Sequence, residues 1–174
     1  MKIFIAGARS VKTLSPAVIE KMQSIYNNGF EVIVGDCYGV DKFVQKYFAS
    51  LGYTKVSVYA SNGIARNNVG NWTVKCISVP QESKGFDFYR QKDLAMADDA
   101  DYGLMIWDGE SRGTYSNIMT LIEKGKTVLV YLTPIDKMFC IKSEDNFKKL
   151  NLICQRIHNT AQVRQNIVNY NVLQ

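Results

Sequence analysis

Residues 107–114, Trp-Asp-Gly-Glu-Ser-Arg-Gly-Thr, combine glycines, hydroxyls and a cation in a way that could seat a phosphate. They stand between an apolar run at 102–107 and a helical pattern at 115–124, so they make a strand-to-helix turn. Gly109 and Gly113 permit positive φ and a close backbone approach. The first free N–H groups of a helix and its positive dipole end favour an anion. Ser111 and Thr114 add hydroxyl donors and Arg112 a positive charge, with Asp108 opening the turn. Asp-Gly is also an ordinary turn and Ser or Thr an ordinary helix cap, so the phosphate reading has to be weighed with other parts of the chain.

Three further loops carry the same kind of residues. Gly7-Ala-Arg-Ser10 follows a first apolar run at 2–6, bringing Gly7, Arg9 and Ser10 to the end of a strand. Residues 35–41 hold two glycines, Gly35 and Gly39, and two aspartates, Asp36 and Asp41. The polar loop 62–68 has Arg66 as its one fixed charge. Arg9 and Arg66 are expected to contact a phosphate or another ligand group. Asp41 could accept from ribose hydroxyls, or only favour a helix dipole. Glu110 is the carboxylate nearest the glycine turn. Trp107 and Tyr38 could stack on a base or belong to the core.

The elements that must position these loops follow from periodicity and punctuation. Strands are expected at 2–6, 31–34, 55–59, 74–79, 102–107 and 127–132. Helices are expected from the Ser15-Pro16 cap and N1 pair, at 42–51 ending at Gly52, at 86–97, and at 115–124 ending at Gly125. Alternation of this kind argues for an α/β fold with a parallel sheet covered on both faces. Ligands of such folds lie outside the carboxyl ends of the strands, and all four loops fall at that edge. A nucleotide or phosphate-sugar ligand is the expectation. The spacing matches neither G-x-G-x-x-G after the first strand nor G-x-x-x-x-G-K-[ST].

Composition bounds the alternatives. The 174 residues, 47% hydrophobic and 21% charged, describe one globular domain with a proper core. The net charge of +5 is spread without a polybasic run, so neither nucleic acid nor a membrane surface is an expected partner. Without a signal peptide or membrane-span pattern, a cytoplasmic protein is expected. The four cysteines, Cys37, Cys76, Cys140 and Cys154, form no C-x-x-C pair and are expected as free thiols. Cys154 and His158 share ligand spacing, but two residues complete no metal site; no metal or cofactor is expected.

Together, Ile5-Ala-Gly-Ala-Arg9, Gly35 to Lys42, Arg66-Asn67, Lys92-Asp93-x-x-Met96, and Asp101 leading into Asp108 to Thr114 resemble the SLOG superfamily. That superfamily of Rossmann-like domains includes the LONELY GUY phosphoribohydrolases and the DNA-processing protein of natural competence. The resemblance covers about residues 1–134. It implies a Rossmann-like parallel sheet with helices on both faces, and binding of a nucleotide or ADP-ribose-like ligand. Lys92 stands where the family has an arginine, keeping the charge without the bidentate fork. Asn117 stands where the phosphoribohydrolases have a glutamate, and the related-looking nucleoside deoxyribosyltransferases place their nucleophilic glutamate at a similar point. An amide is neither a general base nor a nucleophile of that kind.

The expected function is therefore ligand binding or sensing. The alternative is an N-glycosidic hydrolase or transferase acting on a nucleoside monophosphate through Glu110, Asp41 or Asp36. Residues 135–174 are expected as a C-terminal extension with a short strand at 138–141 and helices at 143–157 and 160–170. Its apolar face would pack on the sheet domain or on a second copy, making a homodimer one expected assembly.

Overall fold

The computed structural model describes the backbone of residues 1–172 and the side chains of residues 1–160. Its sheet comprises β1 (Lys2–Gly7), β2 (Glu31–Gly35), β3 (Val56–Ser61), β4 (Thr73–Ile77), β5 (Tyr102–Trp107), β6 (Val128–Leu132) and β7 (Lys137–Ile141). The spatial order is β4-β3-β2-β1-β5-β6-β7. All neighbours are parallel except β6 and β7, which pair antiparallel from Val128↔Ile141 to Leu132↔Lys137. The result is the Rossmann-like α/β sheet expected, extended by one strand and a C-terminal helix.

Helices α1 (Pro16–Asn27) and α2 (Val40–Ser50) cover one face; α3 (Gly85–Asp99), α4 (Arg112–Glu123) and α5 (Glu144–Val172) cover the other. Strand pleating divides β1 between two cores. Ile3 and Ile5 pack with Val18, Met22, Val44 and Phe48. Phe4 and Ala6 pack with Met96, Ile118, Leu121 and Phe147. Burial on both faces explains why the central strands are continuous apolar runs. Ser15 caps α1 by accepting the Val18 N–H at 3.3 Å.

Two boundaries differ from the sequence expectation. The tail carries one continuous α5, not two helices, because Ile157-His-Asn-Thr160 contains no Gly or Pro to break it. Helix α4 begins at Arg112, so Arg112, Gly113 and Thr114 form its first turn and Gly113 does not take positive φ. Among the described residues no helix is long and apolar enough to cross a membrane.

Asp99, the last residue of α3, carries a negative charge where the helix dipole disfavours one. Lys2 Nζ and Lys75 Nζ each donate to it at 2.6 Å, and the Tyr59 hydroxyl donates as well. These donors, Lys2 foremost, hold its carboxyl well below the usual carboxylate range. The network ties β1, β3 and β4 to the end of α3. Asp99→Ala should destabilise the fold by about 1–2 kcal/mol near neutrality, allowing for partial exposure of both lysines. Because the folded value is depressed, this contribution is complete above the unfolded value of about 4 and disappears as pH falls further. Urea denaturation at about pH 7 and about pH 3 should show the gap between parent and variant closing in acid.

Candidate functional site

The chain lays β1 to β4 outward on one side, then returns through α3 to place β5 on the other side of β1. This reversal leaves a crevice at the carboxyl ends of β1 and β5, the switch point at which open α/β sheets bind ligands. A cavity of about 540 Å³ lies there. Gly7, Arg9 and Ser10 line it from the loop after β1, Asp41 from α2, and Lys92 from α3. Asp108, Ser111, Gly113, Thr114 and Asn117 line it from the loop after β5 and the first turns of α4.

The remaining residues expected at the site stand behind or beside this cavity. Arg66 gives Asp36 a two-pronged contact, Nε to Oδ2 at 2.9 Å and Nη2 to Oδ1 at 2.7 Å, which binds loop 62–68 to the end of β2. Burial alone would raise the Asp36 pKa, but the Arg66 hydrogen bonds outweigh it and the carboxyl is lowered. Arg112 lies over the Phe86 ring at 4.1 Å. Gly39 precedes α2 at φ +77°, and a Cβ there would stand 2.7 Å from Arg9 Cα, so only glycine lets the two loops meet. Gly109 turns at φ +85° with α5 behind it, Cys154 Sγ 3.5 Å from where a Cβ would be.

The loop before α4 is braced by Asp108. Its Oδ1 accepts the N–H groups of Glu110 and Ser111 at 3.0 and 2.7 Å, and its Oδ2 accepts the Ser10 hydroxyl at 2.6 Å. Burial opposes ionisation of Asp108, yet these donors keep its carboxyl lowered. Asp108 and Ser10 thus shape the site through each other. The Ser111 side chain does not cap α4. Among the described residues, a Cβ at Gly113 would meet nothing within 4 Å beyond its chain neighbours and its own helix backbone, so that side of the helix start is open.

Lys92 sits at the floor, 2% exposed, with its Nζ 2.7 Å from Asp93 Oδ1. Gly35 makes room for this charge: a Cβ there would lie 2.4 Å from Asp41 Oδ2 and 3.0 Å from Lys92 Nζ. Burial would neutralise the lysine, but Asp93 and Asp41 hold its pKa above the ordinary value. Asp41 accepts the Cys37 N–H at 3.1 Å; burial, partly offset by Lys92, raises its carboxyl to about 6. Burial and then the Asp41 charge push the Cys37 thiol up.

Of the three carboxylates named for catalysis, only Asp41 faces the cavity. Asp36 has both oxygens on Arg66, and Glu110 is exposed with its Oε1 2.9 Å from His158 Nδ1. Asn117, 7% exposed, lines the cavity, and no hydrogen bond to its side chain is present among the described residues. Trp107, at 1% exposure, belongs to the core beside Tyr115 and Phe147. Tyr38 is exposed, with Lys42 Nζ 5.3 Å from its ring centroid.

Cys37, Phe86, Tyr89 and Arg90 also line the cavity and were not anticipated. Phe86, Tyr89, Arg90, Asp93 and Met96 fall three or four residues apart on one side of α3, so helical spacing was the available signal. Tyr89 is flanked by Arg66 at 4.6 Å and Arg9 at 5.5 Å. Among the described residues no group of three or more His, Cys, Asp or Glu could hold a metal ion.

Replacing Lys92 by Met should cost about 3–5 kcal/mol near pH 7.5, because two carboxylates lose their buried cation. The loss should be smaller near pH 5, where Asp41 takes up a proton more readily folded than unfolded. Chemical denaturation of parent and variant at the two pH values measures both effects.

No family model and no curated protein matches the chain. Among solved structures it is similar to DNA processing protein A from Helicobacter pylori, described for its single-stranded DNA binding mode. The TM-score is 0.61 at 15% identity, over 94% of this chain and 81% of that one. At this identity the likeness establishes the fold. It also corrects the expectation that nucleic acid is no partner: a protein of this architecture binds a single strand. A missing polybasic run does not argue otherwise, because separate loops can bring cations together at one edge.

Proposed function

We propose that the chain is a SLOG-type domain that binds a nucleotide derivative, free or ADP-ribose-like, at the carboxyl edge of its sheet. The observation that carries this reading is the convergence on one cavity of the uncapped start of α4 with Arg9 and Arg90, neither ion-paired among the described residues. A phosphate at Gly113 and Thr114 would meet backbone donors and a helix dipole, with two guanidiniums in reach. The Asn117 amide would then bond a hydroxyl or base edge, and Tyr89 would offer a face for stacking. An amide in place of the glutamate favours binding over turnover.

Titration calorimetry with nucleoside monophosphates and ADP-ribose tests the reading. Gly113→Val, at a position where an added Cβ points into open space, should abolish binding while preserving the thermal transition. Arg9→Ala and Arg90→Ala should each weaken binding by about 1.5–3 kcal/mol. Unchanged affinity in all three would remove the α4 loop from the site.

A second reading is single-stranded nucleic acid, supported by the cation–aromatic pairs at this edge: Arg112 on Phe86, Arg9 and Arg66 on Tyr89, and Lys42 on Tyr38. Rings beside cations suit a strand whose bases stack while its phosphates are neutralised. Tyr38 stands outside the cavity lining, so it separates the two readings. If a strand binds, Tyr38→Ala should weaken a short oligonucleotide by about 1–3 kcal/mol and leave a mononucleotide unaffected, as read by fluorescence anisotropy. Equal loss for both ligands would count against a strand path.

A further inference from the structure

Among the described residues, the charged side chains lining the cavity are three cations, Arg9, Arg90 and Lys92, and three carboxylates, Asp41, Asp93 and Asp108. Lys92 is already matched by Asp93 at 2.7 Å. Asp108 stands beside the start of α4, its oxygens taken by Ser10 and the loop N–H groups. The attraction for an anion therefore comes from the two guanidiniums and the helix start, and each added negative charge must also face the carboxylates. Asn117, 7% exposed as a residue, lines the same space with no side-chain hydrogen bond among the described residues, so its amide is left to meet a polar group entering the cavity.

We infer that the site selects a phosphate bearing a single negative charge, a phosphodiester, over the more highly charged terminal monoester or polyphosphate of the same nucleoside. This deepens the nucleotide-binding reading and rests on it. A diester phosphate satisfies the guanidiniums and the first N–H groups of α4 without bringing a second charge toward Asp108 and Asp41. A terminal phosphate brings that second charge near neutrality, and a triphosphate brings more. Phosphodiesters occur both in small nucleotide esters and in the backbone of a strand, and the chemistry at the cavity is shared.

The test uses the unmodified protein near pH 7.5 and moderate salt. Adenosine and thymidine 5′-monophosphates, their phosphate methyl esters, the corresponding triphosphates and a short single-stranded oligonucleotide are titrated in parallel. The methyl ester should bind at least about tenfold more tightly than the monophosphate, the scale of one unbalanced charge in a partly screened site, and the triphosphate should bind no better than the monophosphate. Oligonucleotide affinity equal to that of the methyl ester would assign recognition to the small diester; a much tighter oligonucleotide would assign it to a strand, and both agree with the charge rule. Affinity that climbs with ligand charge would overturn the inference while leaving nucleotide binding intact. Absence of binding by every ligand would remove the nucleotide reading, and the inference with it. Asp41→Asn should narrow the preference for the ester by relieving repulsion; circular dichroism establishes that the variant is folded, and the ligand series on the parent decides the matter if it is not.

Discussion

Strand β1 pairs with β2 on one side and β5 on the other, and both of its faces are buried. Because the chain builds outward to β4 and then returns across the sheet, the loops after β1 and β5 leave their strands on opposite faces. Among the described residues the space between them is the cavity. Every residue of the cavity depends on that division, since it sets Arg9 and Ser10 against Asp108 and Ser111 and lets α3 and α4 form the remaining walls. The Ser10 to Asp108 hydrogen bond at 2.6 Å fastens the two loops across the crevice.

The cavity floor carries a charge that burial alone would not tolerate. Lys92 remains cationic because Asp93 and Asp41 offset its desolvation, and Gly35 leaves the volume in which the three groups meet. An ionic cluster of this kind is weak evidence for stability, since apolar residues of equal volume often do as well. Its consequence here is electrostatic: one cation set against two carboxylates gives the floor no net pull on an anion, so that pull comes from the rim arginines and the α4 start.

Helix α5 contributes to the site from behind. Phe147, Leu150 and Cys154 enter the core shared with α3 and α4, and Cys154 backs the Gly109 turn. Glu110, on the outer side of that turn, reaches His158 of the same helix. The glycine loop is thus braced by Ser10, in the loop after β1, on its inner side and by α5 on its outer side, which fixes where the first N–H groups of α4 point.

Local pattern was enough to determine the strands, most helices and the carboxyl-edge placement of the four loops, because pleat and helix periods, caps and breakers are written in neighbouring residues. Helical spacing also contained the wall formed by Phe86, Tyr89 and Arg90, although nothing local distinguished that side of α3 from a core-facing one. Sequence chemistry could not say that Arg66 and Asp36 satisfy each other, that Trp107 is core, or that Glu110 faces α5, since each depends on a partner distant along the chain. Nor could it separate Asp41, buried beside Lys92, from the other carboxylates, because desolvation arises only when several elements close over a group. What the sequence determined by itself was a parallel α/β sheet with polar loops at one edge. Which side chains face the cavity, and with what charge, was decided by the tertiary structure, because a side chain's direction and solvation depend on the elements packed around it.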